Sequence, residues 1–174
     1  VLEMTEDSVT VAEVSSFQLE TIMDFRPDVS AILNITPDHL NRHGTMENYI
    51  RIKECITLNQ TEKDAVVLNY DDPVLREFGQ DPELKPRVIW FSSREKLADG
   101  FCMSGDNIVY CQKGRETILV NVRDMKLLGR HNYENVMAAA AIGLEMGVAL
   151  ADIGRVVESF NPVEHRIEFV RERT

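Results

Sequence analysis

The sequence has few cysteines for disulfide bonds and lacks an apolar segment long enough to anchor it in a membrane. Its 174 residues include three cysteines and one tryptophan, and no apolar run approaches the roughly 18–20 residues of a membrane span. No signal-peptide pattern opens the sequence. Cys55, Cys102 and Cys111 form neither a Cys-x-x-Cys motif nor a Cys/His metal spacing. We therefore expect reduced, buried thiols in a cytoplasmic protein that binds no membrane.

Positive charge is also scarce. Lysine and arginine total 19 against 29 aspartate and glutamate residues, which gives a formal net charge of −10. A general nucleic-acid binder needs a basic face that displaces counterions from the phosphates. The composition therefore argues against nucleic acid as a partner. The acidic composition does not argue against binding of one anionic ligand, because its site can be locally positive or a metal ion can link the ligand to acidic side chains.

The GxxxxGK[ST] phosphate loop is absent from these residues. If the protein uses ATP, we expect its main phosphate cradle to precede Val1. The chain starts at Val1 rather than at Met, and it stops at Thr174 soon after an apolar run. We expect both ends to be cuts through a longer protein, with one domain and the stub of another in this chain.

Short apolar, β-branched runs alternate with helical patterns, which predicts an α/β fold with a mostly parallel sheet flanked by helices. Buried strands are predicted over residues 9–14, 29–35, 65–69 and 87–91. Helices are predicted from 15 to about 23, from Thr36-Pro37 onward, and over 47–59, 74–78, 132–146 and 150–160. Ser15 and Gln18 fit a capping box at the start of the first helix. Three short runs at 101–103, 107–111 and 117–122 predict an antiparallel meander appended to the sheet.

Polar residues follow the first two predicted strands, at the edge where open α/β sheets bind ligands. The first strand ends at Glu13 and leads into Ser15, and the second ends at Asn34 with His39 shortly after. A carboxylate and an imidazole on neighbouring strand ends suit a hard or borderline cation. The alternatives are a solvated charge for Glu13, a turn residue for Asn34, and a capping or packed histidine for His39.

Lys53 lies beside the apolar stripe of the predicted helix over 47–59. Such a lysine is ordinarily an apolar stem with a solvated tip. Partial burial would instead lower its pKa and leave the amine neutral. A neutral amine reacts with carbon dioxide to form a carbamate, which is an anionic oxygen ligand for a metal ion.

Three further residues are candidates for nucleotide contacts. Asn132 is a natural N-cap for the alanine-rich helix, and Asn135 follows one turn later with both a donor and an acceptor for an adenine edge. Arg166, near the end of the chain, is either a surface charge or a phosphate clamp.

Four segments, in order, resemble the motifs of the Mur ligase family of ATP-dependent amide-forming enzymes. They are EVSSFQLE at 13–20, NITPDHL at 34–40, GRHN at 129–132 with Asn135, and HRIE at 165–168. The FQLE stretch resembles in particular the members that add D-glutamate. The resemblance implies a partial, P-loop-type central ATP-binding domain over residues 1–163, with its phosphate loop upstream. Residues 164–174 would begin the C-terminal ligase domain.

The resemblance also implies roles for the candidate residues. Glu13 would hold one Mg²⁺ between the β- and γ-phosphates of ATP, and His39 with a carbamylated Lys53 would hold a second. Asn135 would contact adenine. Asn132 would support the adenine-binding loop, and Arg166 would reach the nucleotide phosphates. Ser15 and Asn34 would lie behind the metal ligands.

The implied reaction takes place in cytoplasmic peptidoglycan precursor synthesis. The γ-phosphate would move to the carboxylate of UDP-N-acetylmuramoyl-L-alanine, and the amine of D-glutamate would attack the acyl phosphate. We expect this chain alone to be inactive, because the substrate-binding domains lie outside it. Asn41 departs from the aspartate usual in the family, which would weaken support for His39. The alternatives are a sibling ligase, a folylpolyglutamate synthetase-like ligase, or a non-catalytic α/β interaction domain.

Overall fold

A computed structural model describes residues 4, 5 and 7–161, which form one six-stranded sheet with helices packed around it. The strands are β1 (Val29–Ile32), β2 (Ala65–Asn69), β3 (Arg87–Ser92), β4 (Gly100–Ser104), β5 (Asn107–Gln112) and β6 (Arg115–Asn121). The helices are α1 (Ser16–Leu19), α2 (Leu40–His43), α3 (Met46–Glu54), α4 (Pro73–Phe78), α5 (Arg130–Glu145) and α6 (Leu150–Ser159), and a 3₁₀ turn over Cys55–Thr57 extends α3. The predicted fold class is confirmed. No helix in this described part is long and apolar enough to cross a membrane.

The strands follow one another across the sheet in chain order, from β1 to β6. β1, β2 and β3 pair in parallel, and β4, β5 and β6 form the predicted antiparallel meander. β2 is buried along its whole length, because helices cover both faces of the sheet there. Val67 packs in the cluster beneath α5, whereas its neighbours Val66 and Leu68 point to the opposite face, towards Tyr49 of α3 and Leu75 of α4.

β4 begins where β3 is about to end. Phe91 pairs with Phe101 and Ser92 with Cys102, both in parallel. The short segment 93–99 therefore suffices to connect two parallel strands, a link that otherwise needs a crossover of a dozen or more residues. The rest of β4 continues past Ser92, so the meander extends beyond the carboxyl ends of the first three strands.

The alanine run of α5 lies against the sheet. Ala138, Ala140 and Ala141 are buried with Met137, and the helix contacts β1, β2, β3 and β4. Small side chains let the helix approach the strands closely. Gly129, the N-cap residue of α5, has a φ of 95°, a conformation that glycine adopts without steric cost.

Several local predictions were wrong. The first predicted helix ends at Leu19 rather than near residue 23, and the strand predicted over 29–35 ends at Ile32. Residues 9–14 form no strand, and Val9 and Val11 are exposed, because no described strand supplies hydrogen bonds to this segment. The helix expected from Thr36-Pro37 begins at Leu40, after His39 adopts a left-handed conformation with a φ of 51°. Asn132 lies inside α5 instead of capping it, because the helix begins at Arg130.

Candidate functional site

The carboxyl ends of β1, β2 and β3 lie at one edge of the sheet, and side-chain hydrogen bonds tie the segments that follow them. The Asn69 amide Nδ2, at the end of β2, donates to the Leu33 carbonyl just beyond β1, at 3.1 Å. The Ser92 hydroxyl, at the end of β3, donates to Asp71 Oδ1 at 2.6 Å. This edge is where open α/β sheets bind ligands, and it carries most of the predicted site residues.

Asp72 fixes the segment that leads from β1 to His39. One carboxylate oxygen, Oδ2, accepts a hydrogen bond from the Ile35 backbone N–H at 2.8 Å. The other, Oδ1, accepts from the N–H groups of Val74 and Leu75 as the N-cap of α4. A single carboxylate therefore sets both the start of α4 and the path of the neighbouring segment.

His39 is the N-cap residue of α2, but its side chain makes no capping hydrogen bond. The capping role left open by the sequence is therefore absent. The imidazole is half-exposed, and its Nε2 lies 3.3 Å from Asp38 Oδ2. Its other contact is the Phe17 ring of α1, at a centroid distance of 4.9 Å. The ring is thus accessible and oriented by neighbours, as a ligand-binding imidazole must be.

Lys53 is half-buried on α3, and burial lowers its pKa. Asp38 and Asp72 oppose that shift, because both carboxylates favour the charged ammonium. Nζ lies 5.6 Å from the centre of the Tyr49 ring, and it forms no hydrogen bond or ion pair with any residue that the structure describes. A partly desolvated amine without a bound partner is suited to reaction with carbon dioxide.

Glu13, Ser15 and Asn34 are all exposed. Ser15 has a structural role as the N-cap of α1, where it forms the predicted capping box with Gln18. No hydrogen bond or ion pair joins Glu13 to His39 or Lys53. Across residues 4, 5 and 7–161, no three His, Cys, Asp or Glu side chains converge as a metal site would require.

The amino-terminal end of α5 reaches the same edge of the sheet. Asn132 Nδ2 donates to the Leu128 carbonyl at 2.7 Å, which fixes the turn before the helix. The Ser93 hydroxyl, just after β3, donates to Glu134 Oε1 at 2.6 Å. Asn135 is exposed beside Glu134 and free to meet a ligand. The prediction for Arg166 lies outside the described residues.

From the sequence, Asp72 was expected only to cap the helix at 74–78, which the structure confirms, and His43 had no expected role. Asp72 lies three residues after the end of the buried strand β2, which is a recognisable position for a functional carboxylate. His43 is buried between α1 and α3, and no spacing rule marks it.

Comparison with known proteins identifies the fold and its relatives. The family model of the Mur ligase middle domain matches residues 1–143. The UDP-N-acetylmuramoylalanine--D-glutamate ligase of Lachnospira eligens is 53% identical over 98% of this chain. The chain spans only 37% of the length of that relative.

Solved structures agree on the fold. A UDP-N-acetylmuramoyl-L-alanyl-D-glutamate--2,6-diaminopimelate ligase superposes with a TM-score of 0.70 at 23% identity, over 92% of this chain and 34% of that one. A MurF ligase from Thermotoga maritima, solved in complex with ADP, gives a TM-score of 0.56 at 18% identity, over 79% of this chain and 31% of that one.

Proposed function

The chain belongs to the Mur ligase family, and we propose that it is part of an ATP-dependent ligase that adds D-glutamate to UDP-N-acetylmuramoyl-L-alanine. The observation that carries this substrate assignment is the 53% identity, over 98% of the chain, to a ligase named for D-glutamate. The substrates place the reaction in peptidoglycan precursor synthesis, in the cytoplasm. Neither a nucleic acid nor a membrane takes part.

The proposed domain division follows the motifs. Residues 1–163 belong to a central ATP-binding domain whose phosphate loop lies upstream, and residues 164–174 begin the C-terminal ligase domain. The chain covers about a third of the length of its relatives, which leaves room for a domain that binds the uridine nucleotide and one that binds D-glutamate. The 174-residue chain alone is therefore inactive in this proposal.

The reaction proceeds by activation and capture. The carboxylate of UDP-N-acetylmuramoyl-L-alanine attacks the γ-phosphorus of ATP, so that an acyl phosphate forms and ADP leaves. The amine of D-glutamate then attacks the acyl carbon, the amide bond forms, and phosphate leaves. Two anions must approach one another in the first step, so the site must screen their charges.

The proposed ligands fit magnesium by their chemistry. Glu13 would hold one ion, and His39 with a carbamylated Lys53 would hold another, since carboxylate and carbamate oxygens are ligands that Mg²⁺ prefers. When bound, magnesium neutralises charge on the phosphates. The lowered pKa of Lys53 supports the carbamate. Asp38 and Asp72 orient the surrounding segments, with Ser15 and Asn34 in support.

We propose that the amino-terminal end of α5 contacts the adenine base of ATP. Asn135 is exposed beside the carboxyl end of β3, and its amide offers a donor and an acceptor to the adenine edge. Asn132 supports it through its hydrogen bond to the Leu128 carbonyl. Arg166 is proposed to reach the nucleotide phosphates.

Phosphate release by the full-length protein tests the proposal. With ATP, Mg²⁺ and UDP-N-acetylmuramoyl-L-alanine, we expect release that requires D-glutamate and does not occur with L-glutamate or 2,6-diaminopimelate. Dependence on another amino acid would indicate a sibling ligase or a folylpolyglutamate synthetase-like enzyme. Activity that is unchanged in both Glu13→Ala and Lys53→Ala would favour a non-catalytic interaction domain.

The same assay on the 174-residue chain tests its inactivity. Turnover by the purified chain would contradict the proposed division, because the phosphate loop and the substrate domains would then be dispensable.

A further inference from the structure

His43, the last residue of α2, is a buried histidine without a role in the proposed reaction. Its side chain is fully shielded from solvent. Nδ1 lies 3.2 Å from Glu20 Oε1 but lacks a hydrogen-bond partner of adequate geometry among the described residues. An apolar residue would fill such a site at lower cost, because a buried polar atom loses its hydration. The contacts of the imidazole therefore need an explanation.

Those contacts join three helices. Nε2 lies 3.0 Å from the hydroxyl oxygen of Ser16, the first residue of α1. The imidazole stacks on Phe17 of α1 at a centroid distance of 5.4 Å and an interplanar angle of 22°. On its other side it meets Tyr49 of α3 at 5.2 Å. From α2, His43 thus contacts both α1 and α3 with one side chain.

Each of these helices is adjacent to a proposed magnesium ligand. Glu13 lies shortly before α1, His39 is the N-cap residue of α2, and Lys53 belongs to α3. Aromatic contacts connect His43 to two of these residues, His39 and Lys53. Phe17 touches the His39 imidazole, and the Tyr49 ring lies beneath Lys53 Nζ.

Because α1 and α2 are short, this packing determines where they lie. α1 and α2 have four residues each, and isolated helices shorter than about 12–15 residues are marginal in water. Their positions must therefore come from tertiary contacts. We propose that His43 is a positioning residue: through Ser16, Phe17 and Tyr49 it holds the segments carrying Glu13, His39 and Lys53 in the arrangement that binds magnesium. This inference rests on the proposed function.

The test measures ligase activity of the full-length protein across a magnesium titration. Ser16→Ala removes the hydroxyl that meets His43, and His43→Phe keeps a ring but removes both nitrogens. We expect each to raise the Mg²⁺ concentration for half-maximal activity about tenfold, the low end of losses seen on removing groups that orient metal ligands. The rate at saturating Mg²⁺ should largely recover. His43→Gln, whose amide can replace Nε2, should restore much of the affinity.

A matched control separates positioning from stability. Ser30→Ala also removes a buried hydroxyl. Ser30 lies in β1, outside these helices, and its hydroxyl donates to Gln60 Oε1 at 2.9 Å. This substitution should lower the unfolding temperature and leave the magnesium requirement unchanged. Should His43→Phe fail to fold, Ser16→Ala decides alone.

Two results would overturn the inference. One is an unchanged magnesium requirement in Ser16→Ala, and the other is an equal shift in Ser30→Ala. A wild-type protein without magnesium-dependent ligation of D-glutamate would instead overturn the proposed function, and this inference with it.

Discussion

Ser93 and Glu134 join the end of β3 to the first turns of α5 through a hydrogen bond of 2.6 Å from the serine hydroxyl to Oε1. The adjacent residue, Asn135, is the one proposed to contact adenine. The position of that amide relative to the sheet therefore depends on this bond. Asp71 strengthens the junction, because its Oδ2 accepts from the Ser93 backbone N–H at 2.8 Å.

Ser93→Ala should weaken ATP binding by the full-length protein. We expect the KM for ATP to rise about tenfold, the scale of one hydrogen bond to a charged group, with a smaller change in kcat. Ser104→Ala is the matched control, since it removes a hydroxyl that donates to Glu116 on the meander. Equal KM values in the two variants would contradict a role for Ser93 in placing α5.

Lys53→Arg should abolish carbamate formation, because a guanidinium stays protonated at all working pH values. We expect the full-length variant to lose at least about 100-fold in phosphate release, because losing even a group that orients a metal ligand costs up to about 100-fold. With ¹³C-bicarbonate, the wild-type 174-residue chain should give a carbamate NMR signal that is missing from the variant. Lys63→Arg, at an exposed lysine, should keep both activity and signal. A wild-type chain that gives no signal at alkaline pH would contradict the proposed carbamate.

Acid should destabilise the fold through Asp64. Hydrogen bonds from Arg26 hold the pKa of this buried carboxyl at about 2, below its ordinary 3.8. Because the folded-state pKa is the lower one, the stabilisation is complete above about pH 4 and is lost as the pH falls towards 2.

Asp64→Asn should therefore lower the unfolding midpoint at pH 7 by about 5 °C and flatten the fall in stability between pH 4 and pH 2. Thermal unfolding of the chain across this range measures both effects. Asp124→Asn, at an exposed carboxylate, should leave the profile unchanged. An Asp64→Asn profile as steep as that of the wild type would argue against the Arg26 pair.

The cysteines should differ in reactivity. Cys102 and Cys111 are buried with their sulfurs 3.5 Å apart, and burial raises the pKa of the Cys111 thiol to about 12. Cys55 is partly exposed. A thiol reagent at pH 8 should therefore modify one cysteine in the native chain and three after unfolding. Cys55→Ser should remove the native reaction, and labelling of Cys111 without unfolding would contradict the burial.

The sequence predicted best those elements whose structure depends on their own side chains rather than on distant segments. β2 has the predicted bounds, because its apolar run is covered on both faces. The capping box of Ser15 and Gln18 is confirmed for the same local reason, since its two hydrogen bonds span three residues. The strand expected at 9–14 was wrong because a strand also needs a hydrogen-bonded neighbour, which side-chain pattern does not supply.

The arrangement of the site depended on contacts between distant segments. Asp72 meets the Ile35 backbone across 37 positions, and Ser93 meets Glu134 across 41. Such pairs follow from how strands are ordered and helices packed, which no local pattern encodes. The left-handed backbone of His39 is equally hidden, because nothing in its neighbours demands that conformation. The sequence therefore indicated candidate residues, whereas the contacts that position them appear only in the structure.

The unbroken order of the strands bears on how the sheet is made. Among the described residues, each strand from β2 to β6 hydrogen-bonds to the one preceding it in the chain, so each of these strands finds its partner already synthesised when it leaves the ribosome. In a sheet whose neighbouring strands are distant in sequence, the first strands made would stay unpaired until later segments were synthesised. Unpaired strand edges promote aggregation. The described part of the sheet can instead grow by stepwise addition during translation, because each strand pairs with the one synthesised just before it.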